Sequence, residues 1–292
     1  MGIKMVSIIL VNYNGSVDTL ECIESLSRVP RKDVEIIVVD NGSIDDSARI
    51  LEDNNNGRYI LIKESQNNGF SAGNNIGIKY AINNGADYII LLNNDTLVTP
   101  DFVDHLLMPF SLTNCYASTC KIMFASKPKN IWYAGGKIDL LTSRSEHFKI
   151  YQPDDNNDVC MQVNFASGCC LCLSKGAIEQ VGLLSEEYFL YEEDADYCFR
   201  IISKGGKIIY NPKGVIFHKV SASTKKNSSL TTYYQVRNKY LFIQKYYIGY
   251  RRVIAFLYCT LQFWFRCCKK ELLFKDYISG VKGFLKKETG KR

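Results

Sequence analysis

Glu192-Glu193-Asp194-Ala195-Asp196 packs four carboxylates into five residues, directly after the apolar-aromatic run Tyr188-Phe189-Leu190-Tyr191. Crowded carboxylates raise one another's pKa, whereas a helix start favours their charged forms. Such a cluster suits a general base. An acidic helix start facing solvent is the plainer alternative, and the apolar run before it argues that the cluster emerges from the core. Asn93-Asn94-Asp95 offers hard oxygen donors at the tip of another apolar run, where a divalent cation bridging two phosphates would find ligands without an all-protein cage. A polar turn capping the next helix is the alternative there. Asp40 also ends an apolar run and suits either a hydrogen bond to a ribose or base, or a turn. His218, one of three histidines, is a candidate to complete a metal site with Asp95. Arg237, beside Asn238, carries a planar fork fit for a pyrophosphate. His105 and His147 read as structural.

These groups need a scaffold that gathers them. Apolar, β-rich runs at 6–11, 35–39, 59–63 and 88–92 alternate with helical periodicity at 18–26, 45–52 and 72–83, which predicts βαβ units and a mostly parallel sheet of the α/β class. Ligands of such sheets bind beyond the carboxyl ends of the strands. The residues there are Asn12-Tyr13-Asn14-Gly15, Asp40-Asn41-Gly42-Ser43 and Asn93-Asn94-Asp95-Thr96, so one polar rim collects all three. The first turn lacks G-x-G-x-x-G, which disfavours a nicotinamide cofactor, and no G-x-x-x-x-G-K-[ST] loop occurs. Farther on, a short strand is expected at 169–173, a helix at 194–204 ended by Gly205-Gly206, and two strands at 207–210 and 215–218.

The 292 residues are 46% hydrophobic and 23% charged with 6 Pro, which excludes disordered and low-complexity classes. Residues 245–292 hold twelve Lys or Arg against Glu271, Asp276 and Glu288, so this tail carries +9 of a net +6 and leaves the rest at −3. A nucleic-acid groove over the body is therefore disfavoured, and a local basic surface facing anionic lipid is expected. The apolar stretch 253–265 would be about 20 Å long as a helix, too short to span a bilayer. An interfacial helix, or one packed on the body or a second subunit, fits instead. The short apolar run 6–11 is a strand rather than a secretory leader. Eleven Cys read as mostly reduced, hence cytosolic. Cys169, Cys170 and Cys172 alternate faces of a strand, which suits buried thiols better than a shared metal.

Taken in order, these pieces resemble the inverting family-2 glycosyltransferases, particularly the bacterial rhamnosyltransferase-like branch that builds surface polysaccharides. The resemblance rests on the opening Val6–Gly15 strand and loop, Val38-Val39-Asp40-Asn41-Gly42-Ser43, Asn67-Asn68-Gly69-Phe70 with Asn74-Asn75, Leu91-Leu92-Asn93-Asn94-Asp95-Thr96, Ala166-Ser167-Gly168, Gly182–Phe189, and the Glu193-Asp194-Ala195-Asp196 box. It implies a glycosyltransferase A-type fold over 1–240, with a nucleotide-sugar-binding part at about 1–110 and an acceptor part at about 111–240, followed by a helical tail at 241–292. It also implies transfer with inversion from a UDP- or dTDP-sugar, rhamnose among the candidates, to a glycan or glycolipid acceptor at the inner membrane face, assisted by Mn2+ or Mg2+. By that analogy Asp194 is the base with Glu193 as its competitor. Val11, Asn12, Tyr13, Asp40, Asn67, Gly69, Asn74, Asn94 and Arg237 contact the donor nucleotide, and Asp95, Asn93 and His218 hold the metal. Asn93 departs from the Asp common in the family, which shifts metal binding toward the diphosphate. A non-catalytic nucleotide- or glycan-binding scaffold of the same fold is the alternative, and homo-oligomerisation stays open.

Overall fold

The computed structural model describes residues 4–220 and 229–292. The first half runs β1 (Val6–Asn12), α1 (Ser16–Leu26), β2 (Val34–Asp40), α2 (Ser47–Asp53), β3 (Ile60–Lys63), α3 (Phe70–Asn83), β4 (Tyr88–Asn93), β5 (Thr96–Val98) and α4 (Phe102–Leu107). There follow β6 (Cys115–Phe124), β7 (Lys127–Tyr133), β8 (Gly136–Ile138), β9 (Ser145–His147), β10 (Met161–Val163), β11 (Cys170–Ser174), α5 (Lys175–Val181), α6 (Glu193–Ser203) and β12 (Lys207–His218). Three helices close the chain: α7 (Ser229–Tyr246), α8 (Gly249–Cys268) and α9 (Phe274–Leu285).

The main path of the central sheet is β10-β12-β6-β11-β4-β1-β2-β3, with β5 paired to β12 and β7 to β6. Its β4-β1-β2-β3 half is parallel, as the alternating pattern predicts. The other half is mixed, because β11 runs antiparallel to both β4 and β6. The expected strands at 207–210 and 215–218 are one strand. Pro212 and Gly214 do not end it; the register shift against β6 between Asn211 and Val215 absorbs them as a bulge. Helix starts also shift: α1 begins at Ser16 with Gly15 as its cap, while Asp18 sits in the first turn and pairs with Lys219 at 2.8 Å.

The core lies on both faces of the sheet, and Ile8, Ile9, Leu10, Ile37, Val38, Ile89, Ile90 and Leu91 are fully buried. That double coverage is why these strands read as continuous apolar runs. At the C-terminus α9 presses closely on α7: a side chain at Gly280 would meet Val236 Cβ at 2.6 Å, and one at Gly283 would meet the Tyr233 ring. The stretch 253–265 belongs to a longer helix, because the flanking Arg251, Arg252 and Arg266 are good helix formers that extend α8 to 20 residues. Its Ala255, Cys259 and Phe263 face inward, while Val253, Leu257, Leu261, Trp264 and Phe265 are all more than half exposed. Among the described residues no helix is long and apolar enough to cross a membrane. All eleven cysteines are unpaired.

Candidate active site

Parallel register lines up the strand ends: Asn12 stands opposite Asp40, and Val11 opposite Asn93. Asp40 is buried, and its Oδ1 accepts from Asn12 Nδ2 and Ser43 Oγ, each at 2.6 Å, while Oδ2 accepts from the Ser43 amide at 3.2 Å. A carboxylate offers roughly four acceptor positions, and three of those of Asp40 are filled within the rim. Asn12 Oδ1 accepts from Thr19 Oγ1 at 2.9 Å, and Asn94 Nδ2 donates to the same hydroxyl at 2.8 Å. One continuous network therefore fixes Asn12, Asp40 and Asn94 at the rim. Val11 and Tyr13 are partly exposed beside it.

The rim is joined to the second half through the Asn67–Phe70 loop. Asn67 Oδ1 accepts from the Gly69 amide at 2.9 Å and from Asn41 Nδ2 at 3.2 Å. Gly69 adopts φ +92°, and a Cβ there would lie 2.4 Å from the Phe189 carbonyl oxygen. Only glycine permits both. The Phe70 amide then donates to that carbonyl at 2.9 Å. Within α3, Asn74 Nδ2 donates to the Phe70 carbonyl at 2.9 Å. Its neighbour Asn75 is the long-range tie, with Nδ2 donating to the Leu184 carbonyl and Oδ1 accepting from the Leu184 amide.

Asp95 and His218 meet, with Oδ1 and Nε2 3.1 Å apart. The antiparallel pairing of β5 with β12, which sets His218 opposite Thr96, produces that contact. His218 is buried edge-on to Trp132, and its Nδ1 has no hydrogen-bond partner among the described residues. Asn93, partly exposed, is held by its amide to the Cys169 carbonyl at 2.9 Å. No group of three or more His, Cys, Asp or Glu is arranged around a metal position among the described residues. Two protein ligands, with Asn93 beside them, fit a cation that takes its other ligands from a diphosphate.

The acidic cluster opens α6. Tyr191 and Glu192 have φ of +71° and +73°, a left-handed pair that costs about 1–2 kcal/mol per residue and that persists where function or packing demands it. Asp194 Oδ2 accepts from the Gly168 amide at 3.2 Å, and Oδ1 from the Ala195 amide at 2.8 Å. Gly168 precedes Cys169, which binds Asn93, so the tip of β4 and Asp194 sit on successive residues of one segment. Burial raises the Asp194 carboxyl above its usual range, and the two amides hold it back. Glu193 is driven well above that range by burial and by Asp194, and its Oε2 is unpartnered among the described residues. Glu192, also raised by burial, is offset by Lys239, whose Nζ lies 2.6 Å from Oε2. Asp196 is an anchor, bound by Arg200, Lys245 and Tyr246. A cleft of about 310 Å³ opens over Glu192, Glu193 and Asp194, walled by α7 and α8.

Arg237 spends its donors inside the protein. It is fully buried over Tyr233 and Tyr234, and its guanidinium donates to Asn238 Oδ1, the Gly290 carbonyl and the Glu187 carbonyl. Asn238 Nδ2 donates to the Leu190 and Tyr191 carbonyls. Arg237, Asn238 and Lys239 thus clamp the 187–192 segment that presents the carboxylates. Lys239 and Thr19 carried no local sequence signal, since their partners lie on other elements.

The model of the family described as "Glycosyl transferase family 2" matches residues 7–182. The low-salt glycan biosynthesis hexosyltransferase Agl10 of Haloferax volcanii is 25% identical over 246 residues, 80% of this chain and 74% of its own. The dTDP-rhamnosyl transferase RfbF of Shigella flexneri is 24% identical, with 82% and 80% covered. The N-acetylglucosaminyl-diphospho-decaprenol L-rhamnosyltransferase of Mycobacterium tuberculosis is 22% identical, with 84% and 86% covered. Among solved structures, GalNAc-T7 with UDP, GalNAc and Mn2+ aligns with a TM-score of 0.63 at 18% identity, over 82% of this chain. This chain spans half of that one, and the likeness is one of fold. The chain belongs to glycosyl transferase family 2 and is a glycosyltransferase.

Proposed function

We propose that this chain transfers a sugar, with inversion, from a UDP- or dTDP-sugar to a hydroxyl of a glycan or lipid-linked acceptor in cell-surface polysaccharide synthesis, with Asp194 as the base. The observation that carries this reading is the arrangement of Asp194: a raised, cleft-lining carboxylate one residue removed from the segment that binds the β4 tip. Rhamnose is the favoured sugar, since two relatives are named for it.

Asp40 accepts a hydrogen bond from the base or ribose, and Asn12 and Asn94 keep it oriented. Asp95 and His218, with Asn93 beside them, would hold a divalent cation, which when bound neutralises charge on the departing diphosphate. Asp194 removes the acceptor hydroxyl proton as the oxygen attacks the anomeric carbon, and the diphosphate leaves from the opposite face. Of the two carboxylates, Asp194 is the better oriented, because two backbone amides hold it, whereas Glu193 Oε2 has no hydrogen-bond partner among the described residues. The outer face of α8, apolar at Val253, Leu257, Leu261, Trp264 and Phe265 and flanked by Arg251, Arg252, Lys269 and Lys270, rests on anionic lipid at the inner membrane face.

Asp194→Asn tests the assignment. Turnover should fall by about 10²-fold or more while nucleotide affinity stays near wild type. A variant that transfers sugar normally would remove Asp194 from the mechanism.

A further inference from the structure

The cleft over Glu193 and Asp194 has a charged feature that proton removal does not use. Arg144, at the turn before β9, and Arg266, in the last turn of α8, both line it. Lys239 in the same cleft is committed, bound to Glu192 and to the Ser143 carbonyl. The two arginines are not: Arg144 stands 3.3 Å from Glu146 and Arg266 3.6 Å from Glu271, and the arginine side chains are 51% and 30% exposed. Surface pairs of that kind contribute little and exchange readily for a better anion. With Glu192 neutralised by Lys239, the cleft is acidic at Asp194 and basic at Arg144 and Arg266. Arg266 also follows Trp264 and Phe265 directly, at the end of the exposed apolar stripe of α8. A helix lying on a bilayer along that stripe carries Arg266 at the depth of phosphate headgroups.

We propose that Arg144 and Arg266 form an anion subsite for the phosphate or diphosphate that joins an acceptor glycan to its lipid. The lipid would run along the outer face of α8, the phosphate would meet the two guanidinium forks, and the glycan hydroxyl would lie over Asp194. This rests on the reading of the cleft as the acceptor site.

The test is equilibrium binding to the full chain with UDP and Mn2+ in excess, so that the rim is filled. Farnesyl diphosphate is the probe, compared with farnesol and with vesicles of phosphatidylglycerol. In Arg144→Gln/Arg266→Gln, farnesyl diphosphate should weaken by about tenfold or more, while farnesol and vesicle binding change little. Arg144→Lys/Arg266→Lys should retain part of the affinity, since it keeps the charge without the fork. Unchanged farnesyl diphosphate binding overturns the proposal. So does an equal loss for phosphatidylglycerol vesicles, which would make the arginines a general lipid contact. Farnesyl diphosphate affinity in Asp194→Asn separates the two claims: retained affinity with normal turnover would sink the base and leave the subsite.

Discussion

Lys239→Met isolates the clamp on the acidic turn. The side chains of Lys239 and Glu192 are only 13% and 14% exposed, and they meet at 2.6 Å. Removing one partner of such a buried pair leaves an uncompensated charge and costs on the order of 3 kcal/mol. For a domain of this size that lowers Tm by roughly 6–12 °C. The sign with pH follows from Glu192. Burial already raises its carboxyl even beside Lys239, so between the ordinary and the raised pKa the folded chain holds a proton that the unfolded chain has lost. Stability from this group is present below that window and falls as pH rises through it. Without Lys239 the carboxyl rises further, so the deficit of the variant grows as pH rises above the ordinary carboxylate range and shrinks as pH falls back toward it. Asp194 also loses the attraction of Lys239, so the acid limb of the rate profile moves to higher pH. Thermal unfolding of wild type, Lys239→Met and Lys239→Met/Glu192→Gln across pH, with rate profiles alongside, makes the measurement. The double variant should recover most of the loss. A single variant within about 1 kcal/mol of wild type at neutral pH, or a double variant no better than the single, would refute the reasoning.

Gly69→Ala should destabilise by about 2 kcal/mol or more, because its Cβ would sit 2.4 Å from the Phe189 carbonyl oxygen at φ +92°; chemical denaturation measures this. Arg237→Met should cost on the order of 3 kcal/mol yet leave UDP affinity within about twofold, since its donors serve the Gly290 and Glu187 carbonyls. Calorimetry showing a large loss of nucleotide binding in a folded Arg237→Met would contradict this and place Arg237 at the pyrophosphate.

The parallel half was legible because strands covered on both faces must be apolar throughout, and β1, β2 and β4 end within a residue of the 6–11, 35–39 and 88–92 runs. Their polar ends identified Asn12, Asp40 and Asn93, because parallel register forces those ends together. The antiparallel insertion of β11 left no such trace, since buried strands look alike in either direction. The setting of Arg237 was hidden for a different reason. Its site is built from Tyr233 and Tyr234 beneath it and the backbone of Gly290, fifty-three residues on, and a carbonyl acceptor has no sequence signature. The same holds for Lys239 and Glu192, forty-seven residues apart. The acidic cluster was visible as composition, whereas the difference between Glu193, whose Oε2 has no partner among the described residues, and Asp194, held by the Gly168 amide, depends on a loop from another element.

The central claim is that the Asp40 rim and the Asp95–His218 pair bind a nucleoside diphosphate together with a divalent cation. Titration of the full chain with UDP and dTDP, each with and without Mn2+, in wild type and in Asp95→Ala, tests it directly. The account predicts binding of at least one nucleotide that needs the metal and is lost in Asp95→Ala. Binding indifferent to both metal and Asp95, or no binding of either nucleotide, would contradict it.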